Sequence, residues 1–188
     1  VSSLATDAGI SRGTAESWLS VLQASQVVYL ARPWFTNLAK RLIKTPKLYF
    51  CDCGLAGWLV GIRRREHLTA HPLRGALFEN WAMTELLKAR LNQGLRPDLH
   101  FLRDKAGHEI DAIIEAAPGT LQAVEIKAGA TVARDFFAGL EYWRKRLDKQ
   151  TIHSWLIYGG TESQRRAGTT VLPWRKLDPL LQVLGSDA

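Results

Sequence analysis

Residues 109–127 read EIDAIIEAAPGTLQAVEIK, and this stretch decides the fold of the chain. Two runs of branched apolar residues flank Ala117-Pro118-Gly119, a pattern typical of a β-hairpin. Proline cannot adopt the positive φ of a two-residue primed turn, so we expect a three-residue loop with Gly119 in the left-handed conformation. That register pairs residue 116 with residue 120 and places Asp111 directly opposite Glu125.

Two carboxylates that face each other in a hairpin have Cβ atoms roughly 4.5–5.5 Å apart and destabilise the pair of strands. A divalent cation shared by Asp111 and Glu125 would offset this repulsion. Lys127 lies two residues after Glu125, so its ammonium group belongs to the same face of the sheet. The alternative left open is that Glu125 and Lys127 form a solvated ion pair on an edge strand.

A third acid lies on the helix that the sequence predicts over residues 75–92. The residues three, four and seven positions after Glu79 are Ala82, Met83 and Leu86, which form an apolar stripe. A carboxylate on a core-facing stripe costs free energy unless it is paired or binds a cation. Glu79 is therefore either an ion-paired core residue, with Arg103 as a possible partner, or a member of the Asp111–Glu125 site.

The elements around this helix and hairpin predict a mixed α/β domain over residues 73–188. Apolar periodicity gives a second helix over 132–147, and β-type runs give strands over 99–103, 108–115, 121–127 and 152–158. The order over residues 75–158 is helix, three strands, helix, strand. A short strand near 169–172 and a helix over 177–184 follow.

Residues 1–72 predict a separate, winged-helix-like domain with a basic linker. Helices over 4–8 and 12–25, with Ser11 as the N-cap of the second, precede a strand over 27–30. The second helix carries few cations on its outer face, so reading DNA and docking to a protein both remain open for it.

The chain of 188 residues carries a net charge of +7, and its first 72 residues carry most of it. Such an imbalance suggests a polyanionic partner, although a soluble basic surface is the alternative. The cations most suited to nucleic-acid binding cluster before the strand near residue 48: Lys40, Arg41, Lys44 and Lys47.

Composition limits where the chain could act. No apolar run approaches the ~20 residues of a membrane span. Two cysteines do not make a disulfide framework, so a reducing cytoplasm is expected. Cys51 and Cys53, followed by His67 and His71, imitate a zinc site, but the first spacing is one residue short, and buried thiols are the favoured interpretation.

Tryptophans are the remaining candidates for contact with nucleobases. Those on apolar helical stripes are expected to pack in the core rather than to stack on bases. They are Trp18, Trp58, Trp81 and Trp143.

The acidic residues together resemble a known superfamily. Asp111, thirteen intervening residues and then Glu125-Ile126-Lys127, with Glu79 on the preceding helix, resemble PD-(D/E)xK phosphodiesterases. The element order over residues 75–158 is similar to the restriction-endonuclease-like core of that superfamily. The proline that commonly precedes the first acid is missing before Asp111.

A closer resemblance is to the C-terminal domain of unknown function carried by bacterial and archaeal AAA+-type ATPases. It rests on LFEN at 77–80, GHEID at 107–111 and VEIK at 124–127, and in the linker on KRLIKTPKLYF at 40–50 and DCGL at 52–55. No Gly-x-x-x-x-Gly-Lys-Ser/Thr loop occurs here, so the ATPase module would lie outside this chain. We therefore expect a piece of a longer protein.

The resemblance implies a metal-dependent phosphodiesterase, a nuclease that acts on DNA. Asp111, Glu125 and the Ile126 carbonyl would bind Mg²⁺ or Mn²⁺, and Glu79 would bind a second metal or an ordered water. Lys127 would orient the attacking water and stabilise charge on the phosphate. The alternative is a catalytically inactive nuclease-fold module that binds nucleic acid or a protein.

Overall fold

A computed structural model describes residues 1–34, 42–147 and 150–185. The helices are α1 (Ser2–Asp7), α2 (Arg12–Ala24), α3 (Cys53–Leu59), α4 (Arg65–Thr69), α5 (Arg74–Leu91), α6 (Ala138–Arg144) and α7 (Asp178–Gly185). The strands are β1 (Val28–Pro33), β2 (Lys47–Phe50), β3 (His100–Arg103), β4 (Glu109–Ala117), β5 (Thr120–Lys127), β6 (Thr151–Tyr158), β7 (Gln164–Arg166) and β8 (Thr169–Pro173). The mixed α/β class is confirmed.

One eight-stranded mixed sheet organises these elements, in the order β2-β1-β3-β4-β5-β6-β8-β7. β4 and β5 form the predicted antiparallel hairpin, and β5, β6 and β8 run parallel to one another. β1 pairs in parallel with β3, so the sheet continues from the N-terminal region into the later strands. The division at residues 72 and 73 stays a prediction.

The two largest core clusters involve different helices. Residues of α5 and α7, among them Met83, Leu86 and Leu180, share one cluster with Ile114 of β4. Leu140 of α6 shares the other with apolar residues of β3, β4 and β5. Burying side chains of this size stabilises a fold by about 1.5–3 kcal/mol each, which fixes α5 and the hairpin relative to each other.

The hairpin register is confirmed, but the predicted loop is wrong. Pairs from Ala112 with Val124 to Glu115 with Leu121 follow the expected register. At the turn, however, Ala117 pairs with Thr120, so only two residues form the loop. Gly119 has a φ of 74°, as the third position of a type II turn requires, and proline suits the second. A bulge between Glu115 and Ala117 restores the register that the shorter loop shifts by one residue.

A second bulge lies in β4 where it pairs with β3. Leu102 pairs with Ile110 and His100 pairs with Ile113, so two residues of β4 stand opposite the single residue Phe101. The two residues are Asp111 and Ala112. Bulges of this kind redirect a side chain and are frequent beside active sites.

Several predicted elements differ in extent. The helix expected over 132–147 is a 3-10 turn, Arg134–Phe137, followed by the short α6. β7 was not expected, because its three residues are polar and exposed. Ser11 is the N-cap of α2 as predicted, and its Oγ accepts a hydrogen bond from Thr14 N. Among the described residues, no helix combines the length and apolar character needed to cross a membrane.

The expectation that all four helical tryptophans lie in the core is wrong for two of them. Trp143 is buried and Trp81 is half-buried, but Trp18 is 59% exposed and Trp58 is 58% exposed. Apolar periodicity identifies the face of a helix that needs a partner, and it does not say that the same chain supplies one.

Candidate active site

Strands β4 and β5 bring three of the four predicted residues together. Asp111 lies in the β4 bulge, and its Oδ2 accepts a hydrogen bond of 2.8 Å from the backbone N–H of Ile126. The side chains of Glu125 and Lys127 form an ion pair between Oε1 and Nζ. Asp111 and Glu125 are each only 6% exposed, so both carboxylates lie within the protein rather than on a solvated edge.

Lys47 connects the fourth predicted residue, Glu79, to this group. Lys47 Nζ lies 2.7 Å from Glu79 Oε1, 2.6 Å from Glu109 Oε1 and 3.6 Å from Asp111 Oδ1. Tyr49, two residues further along β2, donates a hydrogen bond of 2.6 Å to the same oxygen of Glu79. Glu79, Glu109, Asp111 and Glu125 with Lys47 and Lys127 are called the acid cluster below.

The structure assigns Glu79 a different partner from the one considered in the sequence. Arg103, the expected candidate, lies 3.7 Å from Glu109 Oε2 at the edge of the acid cluster. The cation beside Glu79 is Lys47, which the sequence had grouped with residues for nucleic-acid binding. The alternating polar residues Lys47 and Tyr49 on one face of β2 were the available signal, because side chains two apart on a strand point the same way.

The other cations of that basic group remain apart from the acids. Lys44 is exposed, and no ion pair of its ammonium occurs among the described residues. Lys40 and Arg41 lie outside the residues that the structure describes. Their binding of nucleic acid stays a prediction.

Burial dominates the electrostatics of the two hairpin carboxyls. Removal from water raises the pKa of Asp111 above its ordinary value, and the charge of Glu79 raises it further. Burial also raises the pKa of Glu125, and Asp111 adds to the effect. Both acids therefore resist ionisation, and any positive charge placed between them would favour their charged forms.

The two ammonium groups show the opposite balance. Burial alone would lower the pKa of Lys47, but the charges of Asp111 and Glu79 outweigh it and raise that pKa. The pKa of Lys127 is raised in the same way, by Asp111 and Glu125 against burial. Both lysines are thus held in the charged form, and four carboxylates face two ammonium groups within the acid cluster.

A carboxylate oxygen beside Asp111 is available for a further cation. Glu125 Oε2 is buried and has no hydrogen-bond partner among the described residues. The Ile126 N–H points at Asp111, and the C=O of the same extended residue faces the same side of the strand. An unpartnered buried oxygen is costly unless a cation or a proton satisfies it.

The acid cluster has some of the features of the oxygen-rich sites that hold hard divalent cations. Within the described ranges, no group of three His, Cys, Asp or Glu side chains is arranged to hold one metal ion. Mg²⁺, however, commonly retains several waters and binds through one or two carboxylates. Asp111 and Glu125 supply the two buried carboxyl groups of that smaller requirement. Cys51 and Cys53, considered for zinc, are half-buried free thiols.

Comparison with known proteins gives a family without a described activity. The model of a domain of unknown function, DUF4143, matches residues 74–177, and that of another, DUF8612, matches residues 1–66. Uncharacterized protein Rv2008c of Mycobacterium tuberculosis and uncharacterized protein Mb2031c of Mycobacterium bovis are each 33% identical over 129 residues. The matches cover 68% of this chain and 28% of each relative, and no solved structure matches the chain.

Proposed function

The chain belongs to the DUF4143 family, and we propose that its acid cluster is the site of a metal-dependent phosphodiesterase acting on nucleic acid. The observation that carries the proposal is Glu125 Oε2, a buried carboxylate oxygen to which no described residue donates a hydrogen bond, beside the equally buried Asp111. Both are oxygen donors of the kind that Mg²⁺ and Mn²⁺ prefer.

The fold supports this function in two ways. The order α5-β3-β4-β5-α6-β6 resembles the one expected for a restriction-endonuclease-like core, and Asp111 and Glu125 lie on adjacent central strands. The helices α1 and α2, followed by the antiparallel pair β1 and β2, suit a winged-helix-like unit. We infer further that the AAA+-type ATPase module implied by the resemblance belongs to the same protein; the chain spans about a quarter of the length of the curated relatives it matches, which leaves room for such a module.

In the proposed reaction, the side chains of the acid cluster have distinct tasks. Asp111 and Glu125 would hold the cation together with the Ile126 carbonyl, and the chemistry it would supply there is polarisation of the phosphate and activation of a water. Lys127, held by Glu125, places its charge where negative charge develops on the phosphate. Glu79 positions Lys47 and keeps Tyr49 Oη in place through their shared contact with its Oε1.

Lys47 also favours a second candidate function. Its ammonium already supplies positive charge to Glu79, Glu109 and Asp111. A site neutralised in this way from within would remain folded without a metal. The second candidate is accordingly a catalytically inactive module that binds nucleic acid or a protein through the same fold.

Metal binding and cleavage distinguish the two functions. Mn²⁺ titration by calorimetry and Mg²⁺-dependent cleavage of labelled DNA and RNA are measured for the wild type, Asp111→Asn and the exposed control Asp135→Asn. The phosphodiesterase predicts binding and cleavage that Asp111→Asn reduces at least 100-fold and Asp135→Asn leaves unchanged. Absence of both activities from a folded wild-type protein would refute the enzyme and favour the module.

A further inference from the structure

A groove of about 710 Å³ lies beside the acid cluster and plays no part in the proposed chemistry. It opens where three parallel strands end, since Ala128, Gly159 and Trp174 directly follow β5, β6 and β8 and all line it. The crevice beyond the carboxyl ends of parallel strands is where α/β sheets commonly bind ligands. The volume lies within the roughly 300–1,000 Å³ of sites that enclose a ligand.

The charge of the groove has one sign. Five arginines line it, and no carboxylate among the described residues does. The arginines are Arg63, Arg64, Arg65, Arg74 and Arg175. A concave surface lined by cations alone concentrates anions, and the planar guanidinium group suits phosphate oxygens in particular.

Aromatic rings line the same groove, and two of them contact its arginines. Trp81 contacts two other rings of the groove, those of Phe78 and Trp174, each 5.6 Å away between centroids. The guanidinium of Arg63 lies 4.5 Å from the ring of Trp58, and that of Arg175 lies 4.5 Å from the ring of Trp174. Trp58 is more than half exposed, so most of its large apolar surface faces solvent. Rings beside cations are the composition of sites that stack nucleobases and pair with the flanking phosphates.

The groove and the acid cluster share two pieces of chain. Lys127 of the acid cluster is followed by Ala128, whose carbonyl accepts a hydrogen bond of 3.1 Å from Arg74 Nη2 at the groove wall. On α5, Phe78 lines the groove and the next residue, Glu79, belongs to the acid cluster. A strand lying in the groove would therefore pass beside the acids.

We propose that this groove binds single-stranded nucleic acid, with unpaired bases against Trp58 and Trp174 and phosphates on the arginines. Duplex bases are already stacked on one another, so their faces are not open to these rings, whereas single strands offer both face and phosphate. An acidic peptide would satisfy the arginines and leave the aromatic rings unexplained. This inference rests on the proposed function, because it names single-stranded nucleic acid as the substrate of the acid cluster.

The test is fluorescence anisotropy of a labelled 12-nucleotide single strand with the full chain in EDTA, where no cleavage occurs. Trp58→Ala is compared with Trp18→Ala, since both rings are exposed to the same extent on surface helices. Stacking predicts about tenfold weaker binding for Trp58→Ala and no change for Trp18→Ala. Arg175→Gln is compared with Arg12→Gln, since Arg12 is also exposed. Only Arg175→Gln is expected to make the binding constant less dependent on salt, reducing the slope of log K against log[salt] by about 0.7.

Competition experiments complete the test. The single strand should be displaced by unlabelled single strand and much less well by the matching duplex, by a poly-glutamate peptide or by a mononucleotide. Equal competition by any of these three, or equal effects of the two tryptophan variants, would overturn the proposal. Because binding is measured without metal, binding without cleavage overturns only the phosphodiesterase. If the protein cleaves nucleic acid but the Trp58→Ala and Arg175→Gln variants bind the single strand as well as the wild type does, only the proposed role of the groove is overturned.

Discussion

Replacement of Lys47 by methionine tests the charge balance of the acid cluster most directly. The variant keeps an unbranched apolar side chain of similar length and removes the ammonium group. The ammonium group contacts three carboxylates, and the Lys47 side chain as a whole is 23% exposed. Its loss leaves Glu79, Glu109 and Asp111 without their shared counter-charge in a site that water reaches only in part.

The expected loss of stability follows from that partial burial. Removing one partner of a fully buried ion pair costs about 3–5 kcal/mol. The acids here retain some access to water, so we expect about 2–3 kcal/mol for Lys47→Met at pH 8. The loss should shrink as the pH falls towards the ordinary carboxyl pKa near 4, because protonated acids no longer repel one another.

The assay is urea unfolding followed by the fluorescence of the seven tryptophans, at pH 8 and pH 5. Lys44→Met is the matched control, because Lys44 is exposed and its replacement should change the free energy of unfolding by less than about 0.5 kcal/mol. Millimolar Mn²⁺ should stabilise Lys47→Met more than Lys44→Met, because a bound cation would also replace the missing counter-charge. A Lys47→Met protein as stable as the wild type at pH 8, or equally destabilised at both pH values, would refute the reasoning.

Three further substitutions test the site and its packing. The pKa of Glu125 is raised in the folded state, so the stability it contributes is present below the ordinary pKa and is lost as the pH rises through the raised one. Glu125→Gln should therefore reduce the fall in the free energy of unfolding above pH 5, by roughly 1.4 kcal/mol for each unit by which the pKa is raised. Urea titrations at several pH values measure this fall, and an unchanged dependence on pH would contradict the argument. Gly139→Ala should destabilise by about 1–3 kcal/mol, because its Cβ would lie 2.0 Å from the Glu109 carbonyl oxygen. Gly75→Ala, with open space around its Cβ in α5, should raise the thermal midpoint instead, and equal effects of the two alanines would contradict the packing argument.

The hairpin shows how much of the site could be predicted from sequence. The pairing of β4 with β5 was predictable because the Pro118-Gly119 segment and the apolar runs fix the turn to within a residue. The loop itself was not, since a type II turn combined with a bulge gives the same register as a longer loop. The bulge that contains Asp111 arises from pairing with β3, and no local pattern in the sequence records it.

The role of Lys47 could not be read from local sequence either. Its partner Glu79 is 32 residues away, and a salt bridge over that distance depends on how β2 lies against α5. The exposure of two tryptophans could not be predicted from local sequence for the same reason, because it too depends on which elements pack against each other. An apolar helical face predicts that something will cover it, but Trp18 and Trp58 stay more than half exposed in the described part of this chain.

The position of β2 in the sheet has a mechanical consequence. β2 is an edge strand and is joined to the sheet through β1, yet it supplies the ammonium group that contacts three of the four acids. A displacement of the N-terminal helices that also moves β2 would take the Lys47 ammonium group away from the carboxylates. Thermodynamic reciprocity means that a cation captured by those carboxylates would, in turn, loosen the hold on the N-terminal region.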